Sequence, residues 1–185
     1  FDISRESTTT RARYGNHAMG QNLLLARRLV ENGVTFISVR ANSLGSWDDH
    51  NGVEKRMKAK GPSFDQGVAA LVSDLHDRGL ASRTLVVCMG EFGRTPRING
   101  NAGRDHWAPC FSCFMAGGGI RGGNVVGTSD EDAMYPDKRP VNVADIHASI
   151  CHAMGIDPNK EVMTPLQRPM KLVDNGSPVS ELFTG

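Results

Sequence analysis

Three short segments hold the residues whose types and spacing suit chemistry. In Trp47-Asp48-Asp49-His50-Asn51-Gly52, two carboxylates and an imidazole fall within three positions. Such side chains ligate divalent cations, and a loop lets residues two apart converge on one ion. The plain alternative is a solvated turn with an Asx bond and a helix cap. In Gly90-Glu91-Phe92-Gly93-Arg94-Thr95-Pro96, glycines on both sides of Glu91 give the backbone the freedom that ligation needs. Arg94 has the planar fork that clamps a tetrahedral anion. A surface ion pair between Glu91 and Arg94, contributing about 0–1 kcal/mol, is the alternative there. In Gly103-Arg104-Asp105-His106-Trp107, His106 offers a further ligand, with Asp105 as a second ligand or as the group that orients the imidazole. Packing of His106 against Trp107 would leave it purely structural.

The elements that must position these segments are read from apolar spacing. Leu23, Leu24, Ala26, Leu29 and Val30 predict a helix from about Met19 to Asn32, ended by Gly33. A strand is expected directly after it, over Val34 to Val39. Pro62-Ser63 is read as the opening of a second helix, with Phe64, Val68, Leu71, Val72 and Leu75 on its buried face and an end near Arg78-Gly79. Further strands are expected over Thr84–Met89 and Phe111–Ala116. Val143, Ile146, Ile150 and Met154 mark a last amphipathic helix stopped by Gly155 and Pro158. Alternating helices and strands predict α/β layers with a mostly parallel sheet. The first two chemical segments would then leave the carboxyl ends of strands, where open α/β folds build their sites.

With 185 residues the chain has the length of one domain. Its 21 Lys+Arg against 20 Asp+Glu leave a net charge of +1, which carries no signature of nucleic acid or of an anionic membrane as partner. No apolar run approaches the roughly 20 residues of a membrane span. The chain opens at Phe1 and soon enters the polar run Ser4 to Thr10, so it reads as the later part of a longer protein. Residues 1–18 are expected to be partly irregular, and the Pro-rich stretch 157–185 to be an irregular wrapping tail. Four Cys are too few for a disulfide scaffold. Cys88 and Cys151 sit in apolar patterns as small core residues. Cys110 and Cys113 lie in an expected strand whose alternation points them to opposite faces, against a zinc or redox site. Gly117-Gly118-Gly119-Ile120-Arg121-Gly122 has dinucleotide-like spacing, but a polar loop follows where a helix is required, so it is read as a turn. His17, His76, His147 and His152 are read as surface or capping residues.

On a series of ordered motifs the chain resembles the family catalogued as domain of unknown function 1501, a sulfatase-like family of the alkaline phosphatase superfamily. The motifs are Tyr14-Gly15-Asn16-His17, Leu25 through Val34, Trp47-Asp48-x-His50, Gly90 through Pro96, Gly103 through Trp107, and Ala116-Gly117-Gly118-Gly119. The resemblance implies an alkaline-phosphatase-like α/β domain, with a mostly parallel sheet flanked by helices, of which residues 1–185 form the carboxyl-terminal part. It implies one or two divalent cations, whether zinc, calcium, magnesium or manganese, held by Asp48, His50, Glu91 and His106, with Asp105 as ligand or orienter. Arg94 would steady the anion, and a Ser, Thr or modified Cys nucleophile would lie upstream. The implied activity is hydrolysis of phosphate or sulfate esters, on a small anionic ester or a sulfated or phosphorylated polymer, in the periplasm or outside the cell. Two departures stand out. Phe92 occupies a position where the superfamily usually has a ligand His, and Asp48 precedes His50 by two residues rather than four. Phe92 points to the rival reading, a non-catalytic exported or envelope binding module that keeps the fold.

Overall fold

The computed structural model describes residues 1–41 and 47–183. It divides into two compact units, one made of residues 1–80 with 94–107 and the other of residues 81–93 with 108–185.

The first unit is mainly helical. Helix α1 (Thr8–Tyr14) starts where the Ser7 side chain accepts from the Thr10 amide, and α2 (Ala18–Glu31) starts where His17 Nδ1 accepts from the Gly20 amide at 3.0 Å. His17 is thus a capping residue. Helix α3 (Val53–Asp77) runs straight through Pro62. It begins well before the expected start because its first amides find acceptors far away in sequence. The Gly52 amide donates to the Asn101 carbonyl (3.0 Å) and the Val53 amide to that of Ala102 (2.9 Å). Tyr14, Met19, Leu23, Leu24, Ala70, Leu71 and Leu75 form the buried core.

Within that core Arg27 is 1% exposed and meets three carboxylates, Glu6 (2.8 Å), Glu31 (2.5 Å) and Asp74 (3.0 Å). Tyr14 Oη also donates to Asp74 (2.9 Å). Burial, followed by the Asp74 charge, pushes the Tyr14 hydroxyl above its ordinary value. For Asp74, burial alone would raise the carboxyl, but hydrogen bonds from Arg78 and Tyr14 and the Arg27 charge hold it below its ordinary value.

The strand expected over Val34–Val39 is absent. The segment has no regular secondary structure, with Ile37 and Val39 half-buried and Phe36 78% exposed, and it is part of no ladder. Its apolar alternation suits a strand, but a strand exists only through a partner, and among the described residues the strands at this unit are two residues long. These are β2 (Gly93–Arg94), where the chain enters the unit, and β3 (His106–Trp107), where it leaves; they pair with each other.

In the second unit β1 (Leu85–Cys88) pairs with β4 (Phe114–Gly117), with Leu85 opposite Gly117 and Cys88 opposite Phe114. The pairing is antiparallel. The expected parallel sheet is therefore wrong: among the described residues there are three two-stranded sheets, and β1–β4 and β5–β6 are antiparallel. Parallel neighbours need a crossover connection, usually a helix, and no described helix lies between β1 and β4. An alkaline-phosphatase-like architecture is excluded on the same ground. Helix α4 (Val143–Ala153) carries a capping box between Asn142 and Asp145. Its buried Ser149 accepts from the Val179 amide (2.9 Å), which fixes the tail onto the helix. The tail is also less irregular than expected, since β5 (Glu161–Met163) and β6 (Pro169–Lys171) form a hairpin. All four cysteines are free thiols, and burial pushes those of Cys88 and Cys113 up. No described helix is long and apolar enough to cross a membrane.

Candidate metal centre

Two loops of the first unit cross to make the site. One, residues 47–52, leads into α3; the other, residues 95–105, joins β2 to β3. The Arg104 amide donates to the Asp49 carbonyl (3.0 Å), the Thr95 amide to the Asp105 carbonyl (2.9 Å), and Arg104 Nη1 to the carbonyls of Thr95 (2.5 Å) and Pro96 (2.7 Å). At the crossing lies Gly103, where a Cβ would sit 2.0 Å from the His50 carbonyl carbon, so only glycine fits. The first loop is also tied down from beneath. Asp49 and Lys60 are 3% and 4% exposed and pair at 2.6 Å, while Lys60 Nζ lies 5.2 Å from the Trp47 ring centre. Trp47 packs edge-on against Phe64 and donates through Nε1 to the Ala41 carbonyl. Asp49 is therefore a structural anchor.

That anchoring leaves Asp48 and His50 facing His106 of β3. His50 Nε2 lies 3.0 Å and His106 Nε2 2.9 Å from Asp48 Oδ1, and the two Nε2 atoms are 3.2 Å apart. Three candidate donor atoms lie within 4.8 Å of one another on half-exposed side chains. Two imidazole lone pairs at that distance repel, so a proton or a cation must sit among these atoms. Arg94 Nη1 donates to Asp48 Oδ1. The His106 hydrogen bond, followed by that of Arg94, lowers the Asp48 carboxyl to about 2. It is thus ionised throughout the physiological range.

Asp105 stands behind His50, and His50 Nδ1 donates to its Oδ1 at 2.8 Å. That hydrogen bond, with one from Asn99, holds the Asp105 carboxyl below its ordinary value. A proton fixed on Nδ1 leaves the Nε2 lone pair to bind an ion beside the donor atoms of Asp48 and His106, the usual arrangement around a metal-binding imidazole. The group fits these residues: two nitrogens, one carboxylate oxygen, an oriented imidazole and an open side.

Of the residues singled out by spacing, Asp48, His50, His106, Asp105 and Arg94 are together in the first unit, with Asp105 as orienter. Glu91 belongs to the second unit, exposed in the bend after β1. Two contributors were missed in the sequence. Asn99, in Asn99-Gly100-Asn101, has only the signature of a turn, and Lys60 lies where a loop was expected. A family model described as "Protein of unknown function (DUF1501)" matches residues 1–183. No curated protein and no solved structure matches the chain.

Proposed function

We propose that this chain, which belongs to the DUF1501 family of proteins of unknown function, binds a divalent cation at Asp48, His50 and His106 and serves in hydrolysis of phosphate or sulfate esters. The convergence of the two Nε2 atoms on Asp48 Oδ1 carries the reading. The sulfatase-like likeness of its motifs supports the ester chemistry and a periplasmic or secreted location. A bound cation would polarise the ester and stabilise charge on its oxygens. Two nitrogens and one carboxylate favour zinc over calcium, magnesium or manganese, which suit oxygen ligands. Arg94 brings a fixed positive charge beside Asp48 that would attract an anionic ester, and with His106 it keeps Asp48 ionised. Asp105 keeps the His50 proton on Nδ1. Phe92, beside Glu91, favours a second reading, an exported or envelope binding module with one structural ion.

Metal analysis of the intact protein, with assays on aryl phosphate and aryl sulfate, tests both. His106→Ala should lose the metal and any turnover, and Glu91→Ala reports whether the second unit contributes. Metal without turnover would leave the binding module. Absence of both in the wild type would end the cation reading.

A further inference from the structure

Asn99 ties the framework of this centre together through its side chain. Its side-chain nitrogen donates to Asp105 Oδ1 (3.0 Å) and to the His50 carbonyl (3.0 Å), while its side-chain oxygen accepts from the amides of Asn101 (2.9 Å) and Gly103 (2.9 Å). A carboxamide has two N–H groups and two lone pairs, so all four of its hydrogen-bonding positions are used. The partners also dictate its orientation. Exchanging oxygen and nitrogen would aim the oxygen at a carboxylate and a carbonyl, and the amino group at two N–H groups. The main chain closes the same loop, with the Asn99 amide donating to Gly103 O (2.9 Å) and the Ala102 amide to Asn99 O (3.0 Å).

One side chain therefore grips His50 twice, at its backbone directly and at its ring through Asp105. On the cation reading above, we propose that Asn99 is a positioning residue of the Asp48, His50 and His106 centre. It orients Asp105 so that the His50 ring stays in the Nδ1–H form, with the Nε2 lone pair turned toward Asp48 and His106. A role confined to the turn would need only the acceptor half of the amide. The two donor bonds, both directed at His50 or its partner, are what the positioning role adds.

The test uses the intact protein with zinc and cobalt(II) as probes, in wild type, Asn99→Ser, Asn99→Ala, Asp105→Ala and Asn99→Ala/Asp105→Ala. A serine hydroxyl can still support the turn but cannot reach Asp105, so Asn99→Ser separates the two roles and remains informative if Asn99→Ala fails to fold. Each single variant should bind zinc about 10–100-fold more weakly and alter the cobalt absorption spectrum. In the metal-free Asn99 variants, imidazole nitrogen NMR should show His50 leaving the Nδ1–H form for a mixture. The double variant should bind no more weakly than the weaker single one, because both residues act through one imidazole. Wild-type affinity and tautomer in Asn99→Ser would overturn the inference, as would single effects that multiply in the double variant. Should the wild type bind neither ion, the cation reading falls, and the metal-free tautomer alone then decides the role of Asn99: retention in Asn99→Ser overturns it, and loss upholds it.

Discussion

Asp48 and Asp49 are neighbours with opposite duties. Asp49 is buried against Lys60, whereas Asp48 is half-exposed and shared by two imidazoles and a guanidinium. Removing Lys60 leaves a buried carboxylate without its closest counter-charge, since Arg56 stands at 3.5 Å and is half-exposed. Breaking a buried pair from one side costs about 3–5 kcal/mol. Lys60→Met should therefore lower the urea-unfolding free energy by about that amount, and a change under 1 kcal/mol would show that water already reaches the pair. Gly103 makes a different kind of demand. In Gly103→Ala the new methyl would collide with the His50 carbonyl, so the two loops must part and zinc titration should show a large loss of affinity. Wild-type binding in that variant would mean that the crossing is not needed. Asp48, His50 and His106 were legible as candidate ligands from residue type and from the family likeness of their motifs, whereas their convergence was not. Nor was the work of Lys60 and Asn99, because a helical lysine and a turn asparagine have no pattern until their partners are known.

At the scale of elements, α2 and α4 follow their apolar periodicity closely, while α3 does not begin where its sequence suggests. Pro62 is a start signal by local rules, yet the helix continues through it because the Asn101 and Ala102 carbonyls secure the earlier start. An interior proline lacks one helical N–H and crowds the carbonyl four residues before it. Pro62→Ala should accordingly stabilise the protein, by up to about 3 kcal/mol, measured as a rise in Tm; a fall would show that the ring makes a needed contact. The buried Arg27 joins α2 to α3 through Asp74. Because the folded carboxyl lies below its unfolded value of about 3.9, Asp74 stabilises the fold above that pH. The contribution disappears as pH falls through the lower folded value. The stability gap between wild type and Asp74→Asn should thus be widest near pH 6 and narrow below pH 4. A gap independent of pH would refute the ionic account.

For the whole molecule, the division into two units assigns the cation centre and both tryptophans, Trp47 and Trp107, to the first. Tryptophan fluorescence therefore reports that unit. Zinc at a hundred times its Kd should stabilise it by about 2.7 kcal/mol, seen as a rise in the fluorescence-detected midpoint that a chelator reverses. No shift at that loading would contradict binding at the triad. The amino-acid sequence by itself determined the family, the helices α2 and α4, and which acids, imidazoles and Arg94 were candidate ligands, because periodicity and ligand chemistry are written in neighbouring residues. Only the tertiary structure decided that β1 meets β4 antiparallel, that Val34–Val39 has no ladder, that α3 starts at Val53, that Glu91 belongs to the second unit, and that Asn99 serves His50. Each of these depends on a partner tens of residues away, and local sequence sets the need for a hydrogen bond or a counter-charge without setting which distant group meets it.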